Sequence, residues 1–224
     1  MTPVGATSRA RNALLSCGVL SPALYAAADA IAGMSWPAYV FRDQTISELG
    51  AIGAPTRALF SVMLVPVYLC LLGFGLGVWR AGAGRAGLSV AGILIVAEAL
   101  LALAAGQFVP MMPRGVEQGA RGALHLIEGA VAMALVFSAM ICAAIALGTR
   151  FRAYTGVTLG VALAFGAWSG LDAPAVAAGL ATPWLGVKER VFWYGYQAWF
   201  AVLAVALMRQ PAPPGGAPPS TARA

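Results

Sequence analysis

Six long apolar stretches, separated by short polar passages, set the plan of this chain. They cover residues 13–34, 57–79, 86–105, 123–148, 154–171 and 191–208. Each is close to the roughly 20 residues a helix needs to cross a bilayer. The pattern predicts an all-α integral membrane bundle of six transmembrane helices occupying residues 13–209. A short N-terminal segment, 1–12, precedes it, and a Pro-, Gly-, Ala- and Ser-rich tail, 210–224, follows with a composition that predicts disorder. Arg9 and Arg11 stand just before the first run, as in a signal peptide, but that run is longer than a usual signal core. It reads as an uncleaved first helix.

The polar passages alternate in character. The termini and the two short connections, 80–85 and 149–153, carry Arg9, Arg11, Arg80, Arg85, Arg150, Arg152, Arg209 and Arg223 and no acid. The longer passages, 41–55, 107–122 and 172–190, mix Arg42, Arg114, Arg121, Lys188 and Arg190 with Asp43, Glu48, Glu117, Asp172 and Glu189. A basic surplus marks the cytoplasmic face, so both termini are expected inside and the protein in the cell membrane, with the three longer loops outside. Trp36, Tyr39, Trp184, Phe192, Trp193 and Tyr194 are expected to form an aromatic belt at the outer edge, with Trp79 anchoring the inner one. Pro55 suits a first-turn position ahead of the second helix.

Composition agrees. Apolar residues make up 60% of the chain and charged residues 10%, with a mean hydropathy of +0.81. Soluble domains hold about 25% charged residues, so a soluble reading is excluded. The net charge of +6 does not point to nucleic acid, because the basic residues are spread through loops rather than gathered on one face. Cys17, Cys70 and Cys142 lie within apolar runs and read as small buried hydrophobes rather than disulfide or metal partners. The chain has one histidine, which argues against a multi-histidine metal site. No P-loop, GxGxxG, CxxC or Ser/His/Asp set appears, and no cofactor is expected. Gly156/Gly160 and Gly166/Gly170 have GxxxG spacing, which permits close helix packing.

The informative residues are those a bilayer should not tolerate. Asp29, Glu98 and Glu128 fall within apolar runs. A charge at the bilayer centre costs about 2.5–3.5 kcal/mol, so three facing lipid would cost roughly 8–10 kcal/mol, the scale of a domain's whole stability. They must face inward, be paired, or be protonated. Arg121, His125 and Glu128 are four and three residues apart and share a helix face, which continues through Ala132, Ala139 and Ala143. Glu98 shares its face with Ala91, Ala102 and Ala105, and Asp29 with Gly18, Pro22 and Tyr25. Small-residue faces are the packed faces of membrane helices. The expectation is a polar pocket in the outer half of the bundle. Asp29, Glu98 and Glu128 are its candidate acids, and Arg42, Glu48, Arg121, His125, Glu189 and Arg190 line it. Structural ion pairing of the same acids is the competing reading. Thr45-Ile-Ser-Glu48 has capping-box spacing, so Glu48 could instead start a short helix ending at Gly50. Glu117 and Lys188 are expected to be solvated.

Arg42, the run Thr45-Ile-Ser-Glu-Leu-Gly-Ala51 and Gly53-Ala-Pro55 together resemble the signature of a prokaryotic membrane family catalogued as domain of unknown function 998. His125 at the outer start of the fourth helix is similar too, as is Gly186-Val-Lys-Glu-Arg190 followed by aromatics. The resemblance extends to about Arg209, and Ile-Ser-Glu-Leu-Gly is its most specific part. Many members carry an acid before the fourth helix, where this chain has Met111-Met-Pro-Arg114. The resemblance implies a six-helix bundle and no particular activity.

The function these observations suggest is that of a membrane protein with an outward-facing polar pocket for a lipid or isoprenoid-like ligand. Acid catalysis on such a ligand, proton- or cation-coupled transport through the buried acids, and a structural subunit that binds a partner by its helices are the alternatives. The inner halves of the spans offer almost no polar residues for a transport path.

Overall fold

The computed structural model describes residues 3–210, and the expected disorder of the tail concerns residues outside that range, Gln210 apart. The described residues form seven α-helices and no strand. These are α1 (Pro3–Met34), α2 (Arg57–Ala81), α3 (Ala86–Phe108), α4 (Gly119–Ala146), α5 (Thr149–Gly170), the short α6 (Ala173–Ala177) and α7 (Leu185–Met208). A 3-10 turn, Ile46–Gly50, lies between α1 and α2. Six helices are long and apolar enough to cross a membrane: all but α6. The protein is a multi-pass membrane protein.

The helices close into a ring. α2 packs between α1 and α3, α3 also packs on α4, and α7 packs between α1 and α5, while α4 and α5 touch more lightly. Close approach needs small residues: a Cβ on Gly92 of α3 would lie 2.4 Å from the Trp79 nitrogen of α2. The GxxxG glycines of α5 do not serve this way, since Gly156, Gly160 and Gly170 face open space. One face of the ring gathers the chain ends. Arg11 of α1 donates to the Gln210 carbonyl at 3.0 Å, and Arg85 donates to the Gln210 side chain at 2.8 Å. The half nearest this face is mostly apolar, built on Leu15, Phe74, Val78, Leu88, Met140 and Leu203, with the Trp199 indole donating to the buried Thr155 hydroxyl at 2.9 Å.

Several helix ends differ from those expected. α1 begins at Pro3 rather than near residue 13. α5 begins directly at Thr149, because extended Gly148 turns the chain and leaves no room for a separate connection. α7 begins at Leu185, so Lys188, Glu189 and Arg190 belong to a helix and not to a loop. Trp184 precedes it with φ 67, a left-handed conformation that is costly for an aromatic residue. That residue is held from two sides. Its amide donates to Asp43 Oδ1 at 3.0 Å, and the Arg42 guanidinium sits 5.4 Å from its ring centre.

Candidate ligand cavity

The three longer loops knit into one layer over the end of the bundle opposite the termini. Thr45 caps the 3-10 turn in a reciprocal box with Glu48, as the spacing predicts. Glu48 does more than cap. Arg114, from the α3–α4 loop, grips both its oxygens at 3.1 and 2.7 Å, and Gln44 adds a bond at 2.9 Å. Burial raises the Glu48 carboxyl, and these donors outweigh it, so its pKa falls below the usual value. Arg114 also donates to the Thr182 hydroxyl at 3.0 Å, and Thr182 in turn donates to the Asp43 carbonyl at 2.9 Å. Ile52 donates its amide to Met111, and Gly115 to Val176, both at 3.0 Å. The loops therefore hold one another by backbone as well as by charge.

Beneath this layer, α7 is pinned to α1. Arg190 donates to both Asp29 oxygens at 2.9 and 2.8 Å, to the Tyr39 hydroxyl at 2.7 Å and to the Phe41 carbonyl at 2.7 Å. Tyr194 donates to Asp29 as well. Glu189 accepts the Ile46 amide, tying α7 to the turn. Gly186 makes room: a Cβ there would lie 2.3 Å from the carbonyls of Phe41 and Gln44.

Under the turn, inside the ring, lies a cavity of about 150 Å³. Ile46, Ser47 and Gly50 roof it, and Val109, Pro110 and Met111 close its side. Its polar wall comes from three helices: Glu98 of α3, His125 and Glu128 of α4, and Gln197 of α7. Tyr25, Tyr68, Trp193, Tyr196 and Phe200 supply aromatic surface. Glu98 is 6% exposed and Gln197 5% exposed. One carboxyl oxygen of Glu98 and the side-chain carbonyl of Gln197 are buried with no hydrogen-bond partner. Such orphans are uncommon in folded proteins, because an unmet buried acceptor costs about 1–3 kcal/mol. His125 is fixed by a 3.0 Å contact between Nδ1 and the Val109 carbonyl. A carbonyl only accepts, so Nδ1 carries a proton and donates it to Val109.

A second, apolar depression lies on the outer surface between α2 and α3, where Val62 is 69% exposed. It shares Ser61, Leu64, Tyr68 and Ala102 with the cavity. A third depression, at the loop end of α2 and α4, is lined by Arg57, Arg121, Phe108 and Leu124 and shares Val109 and Pro110.

One family pattern, described as a protein of unknown function (DUF998), matches residues 19–206. The chain belongs to that family. The matched region takes in the cavity and the loop layer of this DUF998 protein whole. Curated proteins and solved structures give no match.

The placement of the expected site residues in the DUF998 bundle is mixed. Glu98, Glu128 and His125 meet in the cavity. Asp29 does not join them: its face turns to α7, where Arg190 and Tyr194 occupy it. Arg190 is correspondingly spent on Asp29 rather than free for a ligand. Arg42 lies on the exterior, paired with Asp43 at 2.7 Å. Glu48 is taken by Arg114, and Glu189 by the turn amide. Arg121 lines the neighbouring depression instead of the cavity. Lys188, expected in solvent, is buried against Asp172 and over the Trp168 ring. The aromatic belt is partly interior: Tyr39 is buried and Trp193 faces the cavity, whereas Trp184 stays exposed. Sequence reasoning passed over Gln197, Tyr68 and Arg114. A lone amide inside an apolar run was the available signal for Gln197.

Proposed function

We propose that this protein binds a lipid or isoprenoid-like amphiphile, its polar head in the cavity and its tail in the groove between α2 and α3. One observation carries the reading: Glu98, which holds a buried oxygen without a partner, lines a cavity that shares four residues with an apolar depression on the outside of the bundle. Cavities that stay dry are normally apolar, so this polar one is suited to an occupant with donors, water or the head of a ligand. The groove side chains Val62, Val65 and Leu103 suit a hydrocarbon chain, and Ser61 and Ala102 are small enough to leave a passage inward. The basic surplus at the terminal face supports a cytoplasmic location for both termini in the cell membrane, which puts the cavity in the outer half. The mostly apolar packing of the other half, in which the buried Thr155 hydroxyl is taken by Trp199, supports binding over transport.

Native mass spectrometry of protein extracted in mild detergent tests this. Wild type is expected to retain a stoichiometric amphiphile. Ser61→Phe and Ala102→Phe, which fill the passage, are expected to lose it while still melting cooperatively. Retention by both folded variants would overturn the proposal.

A chemical extension rests on Glu98 and Glu128 lining the same cavity. Either carboxyl could serve as a general acid toward a bound isoprenoid. Conversion of the retained species by wild type, and none by Glu98→Gln or Glu128→Gln, would establish it; unchanged mass with wild type would remove it.

A further inference from the structure

Granting that the cavity receives an amphiphile, we infer that the head it selects is a primary amine, carried as an ammonium, rather than a phosphate or a carboxylate. The inference follows from the imbalance of acidic over basic side chains around the space. Glu98 and Glu128 present carboxyls and Gln197 a side-chain carbonyl without a partner, beside tyrosine and serine hydroxyls that can donate or accept. Among the described residues, no lysine or arginine lines the cavity. Arg190 is engaged by Asp29 and Arg114 by Glu48, and Arg57 and Arg121 line the neighbouring depression.

An anionic head could take hydroxyl donors from the tyrosines and serines of the wall, but it would enter against two carboxyls with no lysine or arginine beside it to offset its charge. An alcohol brings a single donor. An ammonium brings three, in a compact group, and a charge that complements the carboxyls. Acceptors on α3, α4 and α7 approach the space from different directions, as a three-donor head requires. The aromatic rings of Tyr25, Tyr68 and Trp193 face the same space and favour a cation over an anion. Volume points the same way. About 150 Å³ accommodates a small head but not a bulky one, and the tail is left to the outer groove.

The test uses the full chain, purified in dodecyl maltoside and cleared of retained lipid, with three probes sharing one tail: dodecylamine, dodecanol and dodecyl phosphate. Binding is read by native mass spectrometry and by quenching of tryptophan fluorescence. The amine is expected to bind one per chain, about tenfold or more tighter than the alcohol, as charge-assisted hydrogen bonds dictate. The phosphate is expected to be weakest. Glu98→Gln and Glu128→Gln should each remove most of the preference for the amine and leave the alcohol unchanged. Binding of the alcohol or the phosphate as tightly as the amine would overturn the inference while leaving the amphiphile site standing. Failure of all three probes, together with loss of any co-purified lipid-like species in the wild type, would overturn both. The wild-type ranking decides between these outcomes even if a substituted chain fails to fold.

Discussion

Arg190 of α7 holds Asp29 of α1 through both carboxylate oxygens, at 2.9 and 2.8 Å, with the two side chains 13% and 3% exposed. The same guanidinium caps the Phe41 carbonyl and meets the Tyr39 hydroxyl, and it lies 5.0 Å from the Phe41 ring centre. A single residue thus fastens α1, the loop after it and the start of α7. Removing one partner of a buried pair strands the other charge, at a cost of about 3–5 kcal/mol. Asp29→Ala and Arg190→Ala are each expected to lower stability by that order in detergent melts. The double variant should lose less than the sum of the two, because the stranded charge is gone. Additive losses would mean that the two residues act separately.

The loop layer should open in acid. Glu48 lies below its usual value of 4.5, burial being outweighed by Arg114, Gln44 and the Thr45 amide. Asp43, at the surface beside Arg42 and the Trp184 amide, is lowered from 3.8 to about 2. A carboxylate depressed in the folded state stabilises it above the unfolded pKa, and that stability is lost as pH falls through the folded value. The layer is therefore expected to hold above about pH 4.5 and to loosen on acidification toward pH 2, with solvent screening limiting the part due to Asp43. Hydrogen exchange at the Ile52 amide reads this, since that amide bonds Met111 across the layer. Arg114→Met should move the onset to higher pH. An onset unchanged by that substitution would place the acid sensitivity elsewhere.

Two glycines of α7 should respond in opposite directions to the same change. A Cβ at Gly186 would collide with two backbone carbonyls at 2.3 Å, whereas nothing lies within 4 Å of one at Gly195. Gly186→Ala is expected to cost about 1–3 kcal/mol by overpacking. Gly195→Ala is expected to gain up to about 1 kcal/mol from helix propensity alone. Thermal melts of the two variants give the comparison, and a neutral Gly186→Ala would show that α7 can slide away from the loop.

What could be read from the chain alone follows the range of each interaction. The six spans follow from composition, and the Thr45–Glu48 box from local spacing, because both are settled within one segment. Helical spacing also brought His125 and Glu128 to one wall. It could not tell that Asp29 turns toward α7 instead of α3, because helix rotation depends on the neighbour packed against it. The start of α7 was hidden for a related reason. Lys188, Glu189 and Arg190 close a polar passage that reads as a loop, with Lys188 in solvent and the other two toward a pocket, but each meets a partner distant in sequence: Asp172, the Ile46 amide and Asp29. Arg114 was missed because its role exists only once Glu48 and Thr182 are brought to it from two other loops.

The bare oxygens of the cavity imply that this protein gives up stability for its site. Glu98 and Gln197 are buried without satisfying one acceptor each. An apolar group of similar size would remove that burden, which for a buried polar atom is about 1–3 kcal/mol. In lipid-free protein, Glu98→Leu and Gln197→Leu are therefore expected to raise the melting temperature, against the usual direction for a substitution at a buried position. Glu128→Leu should gain less, since that carboxyl is only half-buried. The same changes should abolish retention of an amphiphile. A wild-type protein already carrying its occupant should show no such deficit relative to Glu98→Leu, because the occupant meets the acceptors and adds its own linkage to stability. Destabilisation by Glu98→Leu in the lipid-free state would mean that the carboxyl is satisfied within the protein, and the argument for an occupant would fail with it.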